Sequence, residues 1–160
     1  MRIRDGGAGA RPRPVASIAF EWIRGQGGKM KEFSVRTKLH CEFVNIDGEV
    51  QQVVERSGVT EGACHVFVPH TTAGITINEN ADPDVVRDIT TVLDKLVPWR
   101  ANYAHSEGNS AAHVKASMMG FEQTVLVRGG RLALGTWQSL YFCEFDGPRT
   151  RKVWVTVVPG

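Results

Sequence analysis

The sequence predicts an α+β domain built on antiparallel strands. Short stretches of alternating apolar and polar residues, rich in β-branched and aromatic side chains, are joined by turns such as Gly129-Gly130. Helical patterns are grouped in the middle of the chain instead of alternating with the strands. We therefore expect an antiparallel sheet or sandwich of about seven or eight strands with two or three helices.

The composition is that of one water-soluble domain. The chain has 160 residues, of which 42% are hydrophobic and 22% charged, enough for a substantial core. No apolar stretch approaches the roughly 20 residues that a membrane-spanning helix needs, so no membrane partner is expected. The cysteines Cys41, Cys64 and Cys143 are odd in number and widely spaced, which indicates free thiols and a reducing, cytoplasmic location.

Charge is distributed unevenly along the chain. Residues 1–29 carry six basic and two acidic side chains, a net +4, so the remainder carries −2 of the total +2. This argues against a nucleic-acid partner, because such domains present a strongly basic face. The Arg-, Gly- and Pro-rich residues 1–29 predict a flexible basic extension, and an alternative is that the natural start is Met30, where a strand pattern begins. Residues 30–160 form the single predicted domain.

The first half of the domain predicts four strands and one helix. Two strands are expected before Asp47, which can cap a helix that Gly58 is suited to end. Two more strands are expected at 63–68 and around Ile75 and Ile77. The apolar residues of the helix recur at helical spacing: Val50, Val53 and Val54.

Two further helices are expected in the middle of the chain. Asp82 and Pro83 supply a cap and a first-turn proline, and Pro98 closes this helix. Ser110 can cap a shorter helix that runs to Met119. The longer helix has one apolar face: Val85, Ile89, Val92, Leu93 and Leu96.

The last part of the chain reads as strands joined by turns. Residues 124–128 and 131–134 flank Gly129-Gly130 and predict a hairpin, since glycine tolerates positive φ at both turn positions. Residues 135–145 and 153–158, joined through a turn at 146–149, predict a final long pair of strands.

Three histidines are candidates for a metal or phosphate pocket. His70, His105 and His113 lie where polar loops meet apolar segments, among small, hydroxyl-bearing or amide residues. Neutral imidazoles are the commonest zinc ligands in proteins, and three of them leave a coordination position open for water or substrate. The alternative is hydrogen-bonded packing, which we expect for His40 and His65.

The string HTTAGITINEN, residues 70–80, places further polar groups beside His70. In an extended chain Thr76, Asn78 and Asn80 share one face, whereas Glu79 shares the other face with two isoleucines. Glu79 and Asn80 are therefore candidate catalytic residues, with the carboxylate as general base or as hydrogen-bond partner of a ligating imidazole. A solvated Glu79 just before the next helix is equally compatible with this spacing.

Two later strings offer contacts for phosphate and for a ring. In YAHSEGNSAAHVKASMMG, residues 103–120, the helix start and Lys115 suit an anion, although no GxxxxGK[ST] motif is present. In GRLALGTWQSLYFCEFDGPR, residues 130–149, Trp137 and Gln138 are positioned to line a ligand pocket and Arg131 to pair with phosphate. The alternative is that Trp137 belongs to the core and that Arg131 is a solvated charge beside a turn.

Together these three strings resemble the YjbQ family, also called UPF0047 and often labelled secondary thiamine-phosphate synthase. The resemblance covers essentially Met30 to Pro159, with the motifs in the same order. It implies an α+β fold of antiparallel strands, a homotrimer, and a pocket in which His70, His105 and His113 gather around a divalent metal, zinc or magnesium.

The resemblance also implies an activity. This is the joining of an aminopyrimidine methyl diphosphate to thiazole phosphate, which forms a carbon–nitrogen bond and expels pyrophosphate. Lys115 and Arg131 would stabilise the departing charge, and Trp137 would stack on a heteroaromatic ring. Two classes remain open: a metal-assisted enzyme acting on a phosphorylated small molecule, and a non-catalytic metal- or metabolite-binding protein.

Overall fold

The computed structural model describes residues 20–21 and 30–160. Nearly all of the predicted basic extension lies outside the described residues. The described strands are β1 Phe20–Glu21, β2 Lys31–Arg36, β3 Glu42–Asn45, β4 Glu61–Phe67, β5 Ala73–Glu79, β6 Glu122–Arg128, β7 Arg131–Leu132, β8 Gln138–Glu144 and β9 Thr150–Pro159. The helices are α1 Asp47–Ser57, α2 Pro83–Leu96 and α3 Ser110–Met119.

The strands form two antiparallel sheets. The larger has the order β1-β2-β9-β4-β6-β7, and the smaller has the order β3-β8-β5. The predicted α+β class and antiparallel architecture are confirmed. The predicted hairpin is confirmed as well: β6 pairs with β7 across Gly129 and Gly130, which both have positive φ.

The main core lies between the two sheets. Alternation along β2, β4 and β9 turns apolar side chains such as Phe33, Val66 and Val155 inward, where they meet Ile75 and Phe142 of the smaller sheet. Fully burying each such side chain stabilises the fold by about 1.5–3 kcal/mol. Helix α1 covers one side of this core with its three buried valines.

The last two long strands do not pair with each other. Strand β8 lies between β3 and β5, whereas β9 lies between β2 and β4 in the other sheet. The chain changes sheets at Gly147, where a Cβ atom would lie 2.3 Å from the Leu39 carbonyl oxygen and 2.8 Å from Cγ of Glu144. Strand β8 is apolar on both faces, so it requires a central position with cover on each side.

The helix ends agree with the sequence in part. The Asp82 carboxylate accepts a hydrogen bond from the Asp84 N–H at 2.9 Å, as expected of the cap of α2, and Gly58 ends α1 in the left-handed conformation. Asp47 is instead the first residue of α1, and its carboxylate accepts from the Leu140 N–H at 2.7 Å. At α3 the cap position belongs to Asn109, not Ser110, and no side-chain cap bond forms.

The predicted apolar face of α2 is only partly buried in the domain. Only Leu93 is fully buried, against the outer face of the smaller sheet, whereas Val92 is 52% and Leu96 65% exposed. One row of side chains therefore attaches α2 to the domain. In the described part of the chain, none of the helices combines the length and apolar character needed to cross a bilayer.

Candidate functional site

Two of the three predicted histidines meet at the N-terminal end of α3. His113 lies in the first turn of the helix and His105 in the loop before it, where the Gly108 N–H donates to the His105 carbonyl at 3.3 Å. Gly108 adopts φ +76°, which lets the loop turn back toward the helix. The ring centroids of His105 and His113 are 5.4 Å apart, and the rings are nearly perpendicular.

This histidine pair opens onto a small surface pocket. Its volume is about 260 Å³, and Ser110 and Val114 complete the lining. We call it the histidine pocket. Because His105 is exposed and His113 half-buried, ring nitrogens are accessible to a ligand from solvent. A carboxylate also lies close to the pair: Oε2 of Glu107 is 3.7 Å from Nε2 of His105.

Asn109 contributes an unpaired acceptor at the same end of the helix. Its Nδ2 donates to Oδ2 of Asp146 at 3.2 Å, and since a carboxylate only accepts, this bond fixes which way the amide points. The Oδ1 atom is buried and has no hydrogen-bond partner among the described residues. A buried amide oxygen left in this state favours a donor or a cation that would satisfy it.

His70 lies elsewhere and is already engaged. It is half-buried after β4, and its Nε2 accepts a hydrogen bond from the Lys152 N–H at 2.8 Å. Burial lowers the pKa of His70, and the positive charge of Arg151 lowers it further. The imidazole is therefore held in its neutral form.

The predicted three-histidine centre is not assembled within one chain. Among residues 20–21 and 30–160, no three histidine, cysteine, aspartate or glutamate side chains lie close enough to hold a metal ion. The pair His105 and His113 offers donor types that suit a metal, and imidazoles favour zinc over magnesium. Asn109 lies at the same end of α3 but does not line the pocket, so metal binding stays a prediction.

The predicted phosphate and ring contacts do not line the histidine pocket. The ammonium group of Lys115 is buried and paired with the Asp94 carboxylate, so an anion would have to displace Asp94. Arg131 is exposed on β7, and Trp137 is 64% exposed, not part of the core. Gln138 accepts a hydrogen bond from the Gly135 N–H at 2.9 Å, which fixes its side chain in its own turn.

The two predicted catalytic residues lie at the end of β5. The Tyr141 hydroxyl group donates to Oδ1 of Asn80 at 2.6 Å and to the main-chain oxygen of Glu79 at 3.3 Å. Glu79 is half-buried, and neither residue lines the histidine pocket. Their proposed role therefore remains a prediction without a contact to the histidine pair.

A buried ion pair beside His70 was not predicted. Arg151 donates from Nε and Nη2 to the two oxygens of Glu144 at 2.7 and 2.6 Å, and both residues are buried. Thr72 and Thr37 extend the network from either side. The alternation of strand residues could have indicated this pair. Glu144 lies on the same face of β8 as the buried Phe142, and Arg151 lies on the same face of β9 as the core valines.

Comparison with known sequences gives consistent relatives. Residues 31–160 match the family described as UPF0047 protein YjbQ-like. The chain is 48% identical over 130 residues to the UPF0047 protein YugU of Bacillus subtilis, covering 81% of this chain and 98% of that protein. It is 45% identical over 127 residues to a UPF0047 protein of Methanocaldococcus jannaschii, covering 79% and 92%.

Solved structures show the same relationship. A crystal structure of a YjbQ/UPF0047 family protein from Clostridium acetobutylicum is 55% identical and superposes with a TM-score of 0.78, covering 79% of this chain and 98% of that chain. A YbjQ-like protein from Sulfolobus solfataricus is 34% identical with a TM-score of 0.79, covering 82% and 97%. The order of motifs, the two-sheet fold and these matches lead to one conclusion: the chain belongs to the UPF0047 YjbQ-like family.

Proposed function

We propose that this protein is a metal-assisted enzyme that acts on a phosphorylated small molecule, with the metal bound at the histidine pocket. The observation that carries the proposal is the pairing of His105 and His113 at 5.4 Å beside an accessible pocket. Two imidazoles this close present lone pairs that suit zinc, and the Glu107 carboxylate lies 3.7 Å from Nε2 of His105, beyond hydrogen-bond distance.

The residues of this chain would act mainly as ligands and positioning groups. His105 and His113 would each provide one ring nitrogen, and Oδ1 of Asn109 is available as an oxygen donor or as an acceptor for a bound water. The backbone N–H groups in the first turn of α3 would favour a phosphate close to the helix. The chemistry supplied by a bound divalent ion is neutralisation of phosphate charge and polarisation of the bond to the leaving group.

We infer that a second copy of the chain completes the ligand set. The family resemblance implies a homotrimer, and the surface next to His113 is suited to a subunit contact. On α3, Val114 is 41% and Met118 53% exposed, and Val114 lines the histidine pocket itself. Apolar side chains in this position favour cover by another protein surface.

The reaction to test first is the thiamine-phosphate synthase-like condensation that the family resemblance implies. Its two substrates carry a diphosphate and a monophosphate, so both match the proposed substrate class. The leaving pyrophosphate needs positive charge, which a divalent ion bound at the histidine pocket would supply.

One observation favours the alternative, a non-catalytic metal- or metabolite-binding protein. The predicted catalytic residues, Glu79 and Asn80, do not line the histidine pocket, and the carboxamide of Asn80 is bound by Tyr141. A binding protein needs the ligands but not the acid–base groups.

The proposed setting is the reducing cytoplasm. Cys41, Cys64 and Cys143 are all free thiols. Burial raises the pKa of Cys64 to about 12 and that of Cys143 well above its usual value, so neither forms a reactive thiolate at neutral pH. Unpaired, protonated thiols are typical of a compartment that does not form disulfides.

Elemental analysis and a turnover assay on the same tag-free preparation test the proposal. The enzyme account expects bound zinc or another divalent metal and release of pyrophosphate from the two thiamine precursors. Both signals should disappear in His113→Ala and persist in His65→Ala, a matched histidine on the outer face of β4. Metal without turnover on any phosphorylated candidate would favour the binding protein, and no metal in the wild type would contradict the metal-assisted enzyme.

A further inference from the structure

A second cavity lies where the two sheets are joined, away from the histidine pocket. Its volume is about 550 Å³, within the range of small-molecule sites. It is formed by the end of β2 with the residues after it and by the start of β9 with the residues before it. The lining residues are Arg36, Thr37, Lys38, Pro148, Arg149 and Thr150. We call it the cationic cavity.

Every charged residue that lines this cavity is basic. Arg36, Lys38 and Arg149 supply three positive charges, although residues 30–160 as a whole carry a net −2. The nearby Glu42 carboxylate is occupied, because it accepts hydrogen bonds from the N–H groups of Lys38 and Leu39 at 2.6 and 3.2 Å. Such a concentration of one sign in a concave surface attracts anions.

The Arg149 side chain is held in place by hydrogen bonds that use only some of its donors. Its Nε donates to the Asp146 carbonyl and its Nη2 to the Asp146 carboxylate, both at 2.6 Å. A guanidinium group has five N–H donors, so these two bonds fix its plane and leave others for a ligand. The same Asp146 carboxylate accepts from Asn109, which ties this arginine to the N-terminal end of α3.

The walls of the cavity are rigid. The Thr37 N–H donates to the Arg149 carbonyl at 2.9 Å, and the Arg149 N–H donates to the Thr37 hydroxyl group at 2.8 Å. The same hydroxyl group contacts the buried Glu144 of the ion pair with Arg151. A site whose backbone is already fixed loses little conformational entropy when a ligand binds.

We propose that the cationic cavity binds the phosphate groups of a small phosphorylated metabolite. Arg149 would make the oriented, forked contact that a phosphate prefers, and Arg36 and Lys38 would add charge from the neighbouring strand β2 and the residues after it. The cavity accommodates a molecule of metabolite size and not a polymer, since the rest of the described domain is not basic. The proposal stands independently of metal binding at the histidine pocket.

Titration of the full chain with pyrophosphate, followed by backbone NMR, tests this inference. The titration is run with EDTA at about 0.15 M salt, where surface charges are well screened. We expect saturable binding with shifts centred on the amides of Lys38 and Thr150. Arg36→Gln and Lys38→Gln should each weaken it about tenfold, the loss of one charge-assisted contact. Arg128→Gln and Lys95→Gln, exposed basic residues on β6 and α2, should leave it unchanged.

Several results would overturn the inference. One is binding that does not saturate by about 10 mM pyrophosphate, which would mean a very weak affinity. The others are NMR shifts centred outside the cavity, and control variants that weaken pyrophosphate binding as much as Arg36→Gln and Lys38→Gln do. Because EDTA removes any metal, pyrophosphate binding in its presence cannot come from the proposed metal site. Protein that binds no metal yet binds pyrophosphate at these residues would support the cationic cavity and contradict the proposed function.

Discussion

The buried charged pair of Glu144 and Arg151 is held by several hydrogen bonds, which explains how the fold tolerates it. Glu144 has no exposed surface, yet its two oxygens accept from Arg151, from Thr37 and from the N–H groups of Phe145 and Asp146. These bonds join β8 and β9, the strands that belong to different sheets. A buried charge whose partner is removed costs far more than an exposed one.

Removing the arginine of this pair should destabilise the protein strongly. Arg151→Met keeps most of the side-chain volume but leaves Glu144 charged and buried without its counter-ion. We expect a loss of about 3–5 kcal/mol in the free energy of unfolding, measured by urea denaturation. Arg87→Met is the control, because its pair with Asp84 is exposed and is worth less than about 1 kcal/mol. Equal effects of the two substitutions would contradict this account of the core.

His70 should make stability depend on pH. Its pKa is below the ordinary value of 6.5 when the chain is folded, so the unfolded chain takes up this proton first. The free energy of unfolding should therefore fall as pH drops below about 6.5, down to the lowered pKa, and recover as pH rises. Burial and the nearby Arg151 both oppose the charged imidazolium.

Replacing His70 by glutamine tests this dependence. His70→Gln keeps an acceptor for the Lys152 N–H but cannot take up a proton. Urea unfolding at about pH 7.5 and about pH 5.5 should show a smaller difference for His70→Gln than for the wild type, with His65→Gln as the control. The same pH difference in His70→Gln and the wild type would show that His70 does not contribute.

At the scale of elements, α3 carries half of the histidine pair and is positioned by close contact with β5. Gly74 of β5 lies under the end of the helix, where a Cβ atom would meet the Gly120 carbonyl oxygen at 2.7 Å and Cβ of Met119 at 3.0 Å. The Ile75 N–H also donates to the Gly120 carbonyl at 3.0 Å. The absence of a side chain at Gly74 thus sets the distance between the helix and the sheet.

Gly74→Ala should push α3 away from the sheet. We expect a loss of about 1–3 kcal/mol, the usual cost of overpacking, together with altered NMR signals from His113. Gly48→Ala is the matched control: this glycine lies in α1, and a Cβ atom added to it would meet no other atom within 4 Å. It should be neutral or stabilising, by up to about 1 kcal/mol. Unchanged stability of Gly74→Ala would contradict the tight packing of α3 on β5.

Sequence patterns locate the elements well because their signals are local. Asp82 with Pro83, and the left-handed Gly58, are determined by neighbouring residues. The prediction of Asp47 as a cap is wrong because its carboxylate bonds to Leu140, 93 residues away, which no local pattern reveals. Lys115 was predicted to contact phosphate for the same reason, since its partner Asp94 lies on another helix and no local pattern reveals the pair.

At the scale of the whole molecule, the sheet that each strand joins could not be derived from the sequence. Strand β8 and strand β9 are consecutive, and a tight turn between them favours a hairpin. The close backbone approach at Gly147 and the burial of β8 on both faces are the features that place the two strands in different sheets. The histidine pair could be predicted because both residues flank one helix start, whereas His70 is placed by its contact with Lys152 of β9, 82 residues away in the chain.

The exposed apolar residues of α2 and α3 predict a subunit contact. Leu96→Glu and Met118→Glu should each dissociate the proposed homotrimer, since a buried carboxylate would replace apolar contact in the interface. Light scattering coupled to size-exclusion chromatography measures the mass. Thr91→Glu, at an exposed polar position on α2, should leave the assembly intact. A wild-type chain that is monomeric at all concentrations would contradict the subunit contact.

Calorimetric titration of metal-free protein with zinc shows whether the histidine pocket binds a metal. We expect saturable binding by the wild type that is lost in His105→Ala and in His113→Ala and retained in His65→Ala, while all four proteins keep the same circular dichroism spectrum. Zinc binding of equal affinity in His113→Ala and the wild type, or no binding by the wild type, would contradict it.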